Sequence, residues 1–245
     1  MKALFLLLLI SSLCWADSVI LTAAKLSQSV YDKQFPEDIH IIHEHHNPLY
    51  GNYLIIALDK HGRYYVVVRG SHNLANWISN LHLTDALLSP IANWFNQLQN
   101  YQKLQQYHQQ WFQEVFADLK NSISPFLKKD HANRAWVFTG HSYGGLMAHL
   151  LAQDAHGKYP QIHFQVHTFN APGTQAVRQH TLNMPMLRKE VSDRFLNHIH
   201  ECDLVSSLIN THEGNRHIYQ SQHPCNSIAD HSIDTMLQLL KKQDL

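Results

Sequence analysis

The sequence predicts an α/β fold, with a mostly parallel central sheet and helices on both faces. Three observations point to it. From Asn52 to Leu240, short runs of β-branched and aromatic residues alternate with segments of helical apolar spacing. A Gly-x-Ser-x-Gly turn stands where one such run gives way to a helical segment. No repeat, low-complexity tract or Pro/Gly-rich linker divides the 245 residues, so residues 17–245 read as a single domain.

Residues 1–16 read as a signal peptide. Lys2 supplies the positive charge, Ala3 to Ile10 the apolar stretch, and Cys14-Trp15-Ala16 a cleavage site before Asp17. The apolar stretch is far shorter than the ~20 residues a membrane helix needs, and no later segment is long and apolar enough. The bulky Leu13 before Cys14 argues against a lipid-anchored form. The expectation is therefore a secreted or periplasmic protein without a transmembrane segment. The two cysteines left after export, Cys202 and Cys225, permit one disulfide. Nothing in the sequence shows that they come close enough to pair.

Asp38–Asn47, DIHIIHEHHN, sets His40, His43, His45 and His46 around Glu44. It lacks the H-E-x-x-H register of a helical zinc site and suits a strand with histidines outward, so no metal is expected there. Asn52–Asp59 and Arg63–Gly70 are apolar runs split by Lys60-His61-Gly62, and read as a hairpin or two adjacent strands. Leu74, Trp77, Ile78 and Leu81 fall at i, i+3, i+4, i+7 and form a short amphipathic helix. Leu104, Tyr107, Trp111, Val115, Leu119 and Ile123 mark a longer helix that should stop near Pro125. Arg134–Gly140 is a short buried strand, and Leu146, Met147, Leu150 and Leu151 are one face of the helix after it. Phe164–Asn170 and Arg194–His200 are further strands. Ile233, Met236, Leu237 and Leu240 repeat the helical spacing.

Charge excludes one class of partner. Nineteen Lys and Arg balance nineteen Asp and Glu, so nothing favours a polyanion such as nucleic acid. The 21 histidines would make the chain cationic only in mildly acidic surroundings.

The chemistry centres on Ser142. A serine hydroxyl attacks only when a base takes its proton and when it stands clear of the backbone. A sharp strand-to-helix turn with small flanks, Gly140 and Gly144, provides that exposure, and the helix N-terminus faces any oxyanion formed there. A base and an orienting acid must accompany it. Asp203 follows a predicted strand, where sheet-end loops carry catalytic groups; Asp193 precedes that strand, and Asp230 suits the N-cap of the last helix. His231 enters the last helix. His217 and His223 are its alternatives, while His141 beside the serine should point away from it.

Gly140-His141-Ser142-Tyr143-Gly144-Gly145 resembles the nucleophile elbow of the class 3 lipases, the fungal triacylglycerol lipase type of α/β-hydrolase. Val66–Leu81 is similar to the family's strand, Arg-Gly-Ser/Thr turn and tryptophan-bearing lid. Val166–Gly173 resembles its Thr-Phe-Gly-Ala-Pro strand end, Glu201–Leu208 its Asp-x-Val-x-x-Leu loop, Arg216–Gln220 its next strand, and Ala229–Leu237 its Asp-His segment. The blocks occur in the family's order from about Tyr53 to Leu237. Asn170 stands where the family has glycine, Tyr143 where it has leucine, and Gln105–Phe112 fits its Val-His-x-Gly-Phe helix start only loosely. The stretch between acid and histidine is short.

The resemblance implies a Ser142-Asp203-His231 triad acting on carboxylic esters of lipids. It implies oxyanion donors at the backbone N–H of Tyr143 and at Ser71, and no cofactor. It also makes Leu74, Trp77, Ile78 and Leu81 either a lid over the site, opened at a lipid interface, or a helix packed permanently on the core. The other reading is a catalytically silent hydrolase fold used for binding.

Overall fold

The computed structural model describes residues 19–70, 99–130, 132–208, 211–221 and 223–243. Seven strands form one sheet in the order of the chain: β1 Ile39–Asn47, β2 Asn52–Asp59, β3 Tyr64–Val68, β4 Ala135–His141, β5 His163–Phe169, β6 Phe195–His200 and β7 Asn215–Tyr219. The pairs β1–β2 and β2–β3 are antiparallel; β3 to β7 run parallel. The Asn52–Gly70 segment is thus the expected hairpin, turned by Gly62 at φ 79°.

Strands β2 and β3 and most of β4 are apolar on both sides because both faces of the sheet are covered. Leu54, Ile56, Val66, Val68, Trp136 and Phe138 face one layer, and Tyr53, Ile55, Ala57, Tyr65, Val67 and Val137 the other, as the two-residue period of a strand dictates. The first layer holds the two crossover helices, α2 Gln99–Asp130 and α3 Tyr143–Lys158. Right-handed crossovers in a sheet of sequential order put both on one side. The second face is covered from elsewhere in the chain, by α1, residues 19–32, and by the helix of residues 233–243.

The structure departs from the sequence reading in three places. Residues 19–32 had no assigned element, yet they form α1. Its buried face is Val19, Ala23, Leu26, Ser27 and Val30, a helical spacing in which alanine and serine alternate with larger apolar residues. Ser27 meets Thr139 on β4 at 3.0 Å, and Thr139 donates onward to the His167 carbonyl at 2.7 Å. Second, α2 does not stop at Pro125 but runs to Asp130. The proline removes one backbone donor, while Ile123 and Leu127 stay buried on either side of it and hold the helix to the sheet. Third, Asp230 does not cap the last helix. The short helices near this end are α4 Lys189–Ser192, α5 Leu204–Leu208, α6 Ser227–Asp230 and α7 Ile233–Gln243. Ser232 Oγ accepts the Asp234 N–H at 3.1 Å and caps α7, whereas Asp230 closes α6 by accepting the Asn226 N–H at 2.6 Å.

The Asp38–Asn47 stretch is the edge strand β1. Its histidines find separate partners: His45 binds Asp118 at 2.7 Å, and the His43 ring lies 4.9 Å from that of Phe126.

Candidate active site

Strand β4 ends at His141 and α3 begins at Tyr143, leaving Ser142 alone to make the turn. It does so at φ 57°, ψ −129°, a conformation that L residues rarely adopt and that only a well-packed surround maintains. The surround is backbone. A β-carbon on Gly140 would overlap Gly144 and Gly145, and one on Gly144 would overlap the Val68 carbonyl. The Ser142 N–H donates to the Phe169 carbonyl at 2.9 Å, tying the turn to β5.

Three buried side chains meet at this turn, each carried at the carboxyl end of the parallel sheet. Ser142 Oγ lies 2.9 Å from His231 Nε2, and His231 Nδ1 lies 2.6 Å from Asp203 Oδ1. Nδ1–H donates to the carboxylate, which leaves Nε2 to accept the serine proton. Asp203 sits at the start of α5, where it also accepts the N–H groups of Ser206 at 2.8 Å and Val205 at 3.3 Å. Burial alone would raise the Asp203 carboxyl. The hydrogen bond and charge of His231, with the bonds from Ser206, outweigh it and hold the group below the usual carboxylate range. The acid is therefore ionised whenever the base must be oriented. A pocket of about 300 Å³ opens beside Ser142 and His231, walled by Tyr31, His141 and the start of α7.

The cysteines, left open by the sequence, are joined: Cys202 and Cys225 form a disulfide. It links the residue before Asp203 to the loop that precedes His231. One His/Cys/Asp group of ligand-like spacing occurs among the described residues, at His200, Cys202 and Asp230. Its chemistry does not suit a metal. The Cys202 sulfur is in the disulfide, and His200 Nδ1 accepts the Cys202 N–H at 3.2 Å, which places the ring proton on the Nε2 that would have to coordinate. Asp230 Oδ1 instead faces His200 and His223 at 3.8 Å each.

Of the residues singled out from sequence, Ser142, Asp203 and His231 come together. His217 stands on β7, and His223 is exposed, with Nε2 near Asp230 rather than Ser142. Tyr143 opens α3, its ring buried edge-on against Phe112. Ser71, Leu74, Trp77, Ile78 and Leu81 lie outside the described residues. Two buried residues escaped the sequence reading as site components. His141 lines the same pocket as Ser142: its ring packs 4.8 Å from that of His231 and its Nε2 donates to the His231 carbonyl at 2.6 Å. Asn170 donates to the Asp230 carbonyl at 2.9 Å. Its departure from the family's glycine was the available signal.

A family profile described as Lipase (class 3) matches residues 65–213, more than half of the chain. The chain belongs to the class 3 lipase family. The family match includes Ser142 and Asp203, while His231 lies beyond it and joins them through geometry. Solved structures share the family's fold at low identity. Lipase II from Rhizopus niveus is 16% identical over 84% of this chain and 79% of that one, with a TM-score of 0.53. A triacylglycerol lipase from Penicillium expansum is 15% identical over 84% and 80%, TM-score 0.53. MDLA from Penicillium cyclopium is 17% identical over 90% and 84%, TM-score 0.53. Among curated proteins, none matches the chain by sequence. A buried Ser-His-Asp network in a class 3 lipase fold is that of a serine-type carboxylic ester hydrolase, and the family implies a lipid or other ester as substrate. Among the described residues no helix is long and apolar enough to cross a membrane.

Proposed function

We propose that this chain is an exported lipid ester hydrolase in which Ser142 is the nucleophile, His231 the general base and acid, and Asp203 the residue that orients it. The observation that carries the assignment is the continuous pair of hydrogen bonds through one imidazole, 2.9 Å to the hydroxyl and 2.6 Å to the carboxylate. Ser142 Oγ attacks the acyl carbonyl carbon as its proton passes to His231 Nε2. The carbonyl electrons move onto oxygen, and the imidazolium is balanced by Asp203. The backbone N–H of Tyr143, at the N-terminus of α3, and Ser71 are assigned to the oxyanion; each such donor is worth roughly 3–4 kcal/mol of barrier. The tetrahedral intermediate collapses, His231 gives its proton to the departing alcohol, and water repeats the cycle on the acyl-enzyme. The Cys202–Cys225 disulfide supports export, because such bonds persist in oxidising compartments.

The test is labelling by a fluorophosphonate, which reacts only with an activated serine, beside a panel of triacylglycerol, phospholipid and soluble esters. Ser142 is the residue expected to be modified, and Ser142→Ala should lose on the order of 10⁶ in kcat while still folding. Ester hydrolysis near the wild-type rate in that variant would overturn the assignment; the panel then separates lipase from phospholipase.

A further inference from the structure

A catalytic imidazole is aimed by two things: the rotation of its ring and the position of its Cα. Asp203 governs the first. The second depends on the peptide planes on either side of that Cα, one carrying the Asp230 carbonyl and the other the His231 carbonyl. Both carbonyls are gripped by buried side chains from the nucleophile's side of the site. Asn170 Nδ2 donates to Asp230 O at 2.9 Å, and His141 Nε2 donates to His231 O at 2.6 Å.

We propose that Asn170 and His141 are positioning residues for the hydrolase reaction, clamping both peptide planes around His231 so that its Nε2 stays on Ser142. The inference rests on the triad assigned above.

The surrounding contacts make the clamp one-directional and rigid. His141 gives its only ring proton to the carbonyl, so Nδ1 must accept; Tyr31 Oη lies 3.1 Å from it and donates. The same phenol oxygen accepts the N–H of Gly70, the residue before Ser71. Burial, reinforced by the neighbouring charge of His231, pushes His141 down to about 3, and burial pushes Tyr31 up to about 12. Neither therefore changes its donor or acceptor role in the neutral range. Asn170 is equally committed. It is fully buried, its Oδ1 accepts the His200 N–H at 2.8 Å, and its φ of 46° lies in the left-handed region that asparagine tolerates and glycine favours. A glycine there would keep the backbone path and lose the grip. The elbow, the end of β5, the end of β6 and the base loop are thus joined through two side chains.

The test uses substitutions that separate the grip from the fold. Asn170→Gly keeps the left-handed backbone without the amide. Asn170→Asp keeps the acceptor for His200 and turns a carboxylate oxygen on the Asp230 carbonyl. His141→Met removes the donor at similar bulk, and His141→Gln returns an N–H near the same place. Asn170→Gly, Asn170→Asp and His141→Met should each lower kcat roughly 10- to 100-fold, the scale for an ångström-sized misplacement of a catalytic group. KM should stay close to wild type, melting temperature should fall by the few degrees that an unpaired buried polar group costs, and fluorophosphonate labelling of the folded protein should slow in proportion to kcat. His141→Gln should recover most of the loss. Wild-type kcat in Asn170→Gly and His141→Met would overturn the clamp, as would losses matched by a smaller fraction of folded protein. Hydrogen exchange over residues 229–232 is independent of activity. Faster exchange in Asn170→Gly supports the clamp even if the wild type hydrolyses no ester, an outcome that would overturn the triad reading alone. Unchanged exchange overturns the clamp.

Discussion

Replacing His149 with leucine should stabilise the protein, and by more as the medium becomes acidic. His149 lies on α3, buried, with its ring 4.5 Å from that of Phe195. Neither ring nitrogen has a hydrogen-bond partner among the described residues. A buried polar group left unsatisfied costs about 1–3 kcal/mol, and leucine fills a similar volume with no polar atom. Acid adds a second gain. Burial, with the charges of His212 and Arg178, pushes His149 down to about 3, so the folded protein cannot take the proton that the unfolded chain takes near pH ~6.5. For a histidine depressed in this way, the stability contribution is complete above the unfolded pKa and is lost as pH falls from ~6.5 toward the folded value. At pH 4.5, two units below the unfolded pKa, the loss is about 3 kcal/mol. His149→Leu escapes it. Urea unfolding of both proteins at pH 7 and pH 4.5 should show a gain of about 1–3 kcal/mol at the first and about 3 kcal/mol more at the second, with unchanged m-values. A gain that does not grow with acidity would refute the buried neutral imidazole. Destabilisation at pH 7 would mean that the two nitrogens are satisfied.

Two further outcomes follow from the site. His231→Ala should abolish ester hydrolysis at neutral pH while His223→Ala keeps most of it, since only His231 reaches Ser142; hydrolysis rates of the two purified variants decide, and activity surviving in the first but not the second would move the base. Replacing Cys202 and Cys225 together by serine should cost about 2–4 kcal/mol, read from denaturant midpoints, and should lower kcat as well because the bond ties the loops before Asp203 and His231; a variant equal to wild type in both would show the link to be idle.

Legibility in the sequence followed the strength of each physical signal. The strands β2, β3 and β4 were readable because a sheet covered on both faces favours apolar runs, and β6 because its residues alternate. The nucleophile was readable because its turn admits only glycine at fixed offsets. Asp203 and His231 were readable by chain order and family resemblance, not by type, since twenty other histidines compete. Residues 19–32 carry a helical spacing, Val19, Ala23, Leu26 and Val30, but it directly follows the apolar stretch of residues 1–16 and includes buried serine, which blurs its amphipathic contrast. Pro125 misled because tertiary burial of its neighbours outweighed one missing backbone bond. The sequence expectation for His141 was only that it should turn away from Ser142, whereas its ring lies against that of His231 in the pocket that Ser142 also lines. What the sequence could not reveal was that the chain returns ninety residues later to lay a carbonyl against it.

The sequential strand order also has a bearing on how the protein comes into being. As the chain is synthesised, α2 and α3 arrive beside the strands they cover. Among the described residues, the opposite face of β2, β3 and β4 is covered by α1 and then by residues 233–243, and His231 emerges just ahead of the latter. Closing the second hydrophobic layer and delivering the base are thus one late event. Until it happens, Ser142 can already be turned at its elbow by β4 and α3 while the imidazole that would take its proton in the proposed triad is not yet beside it.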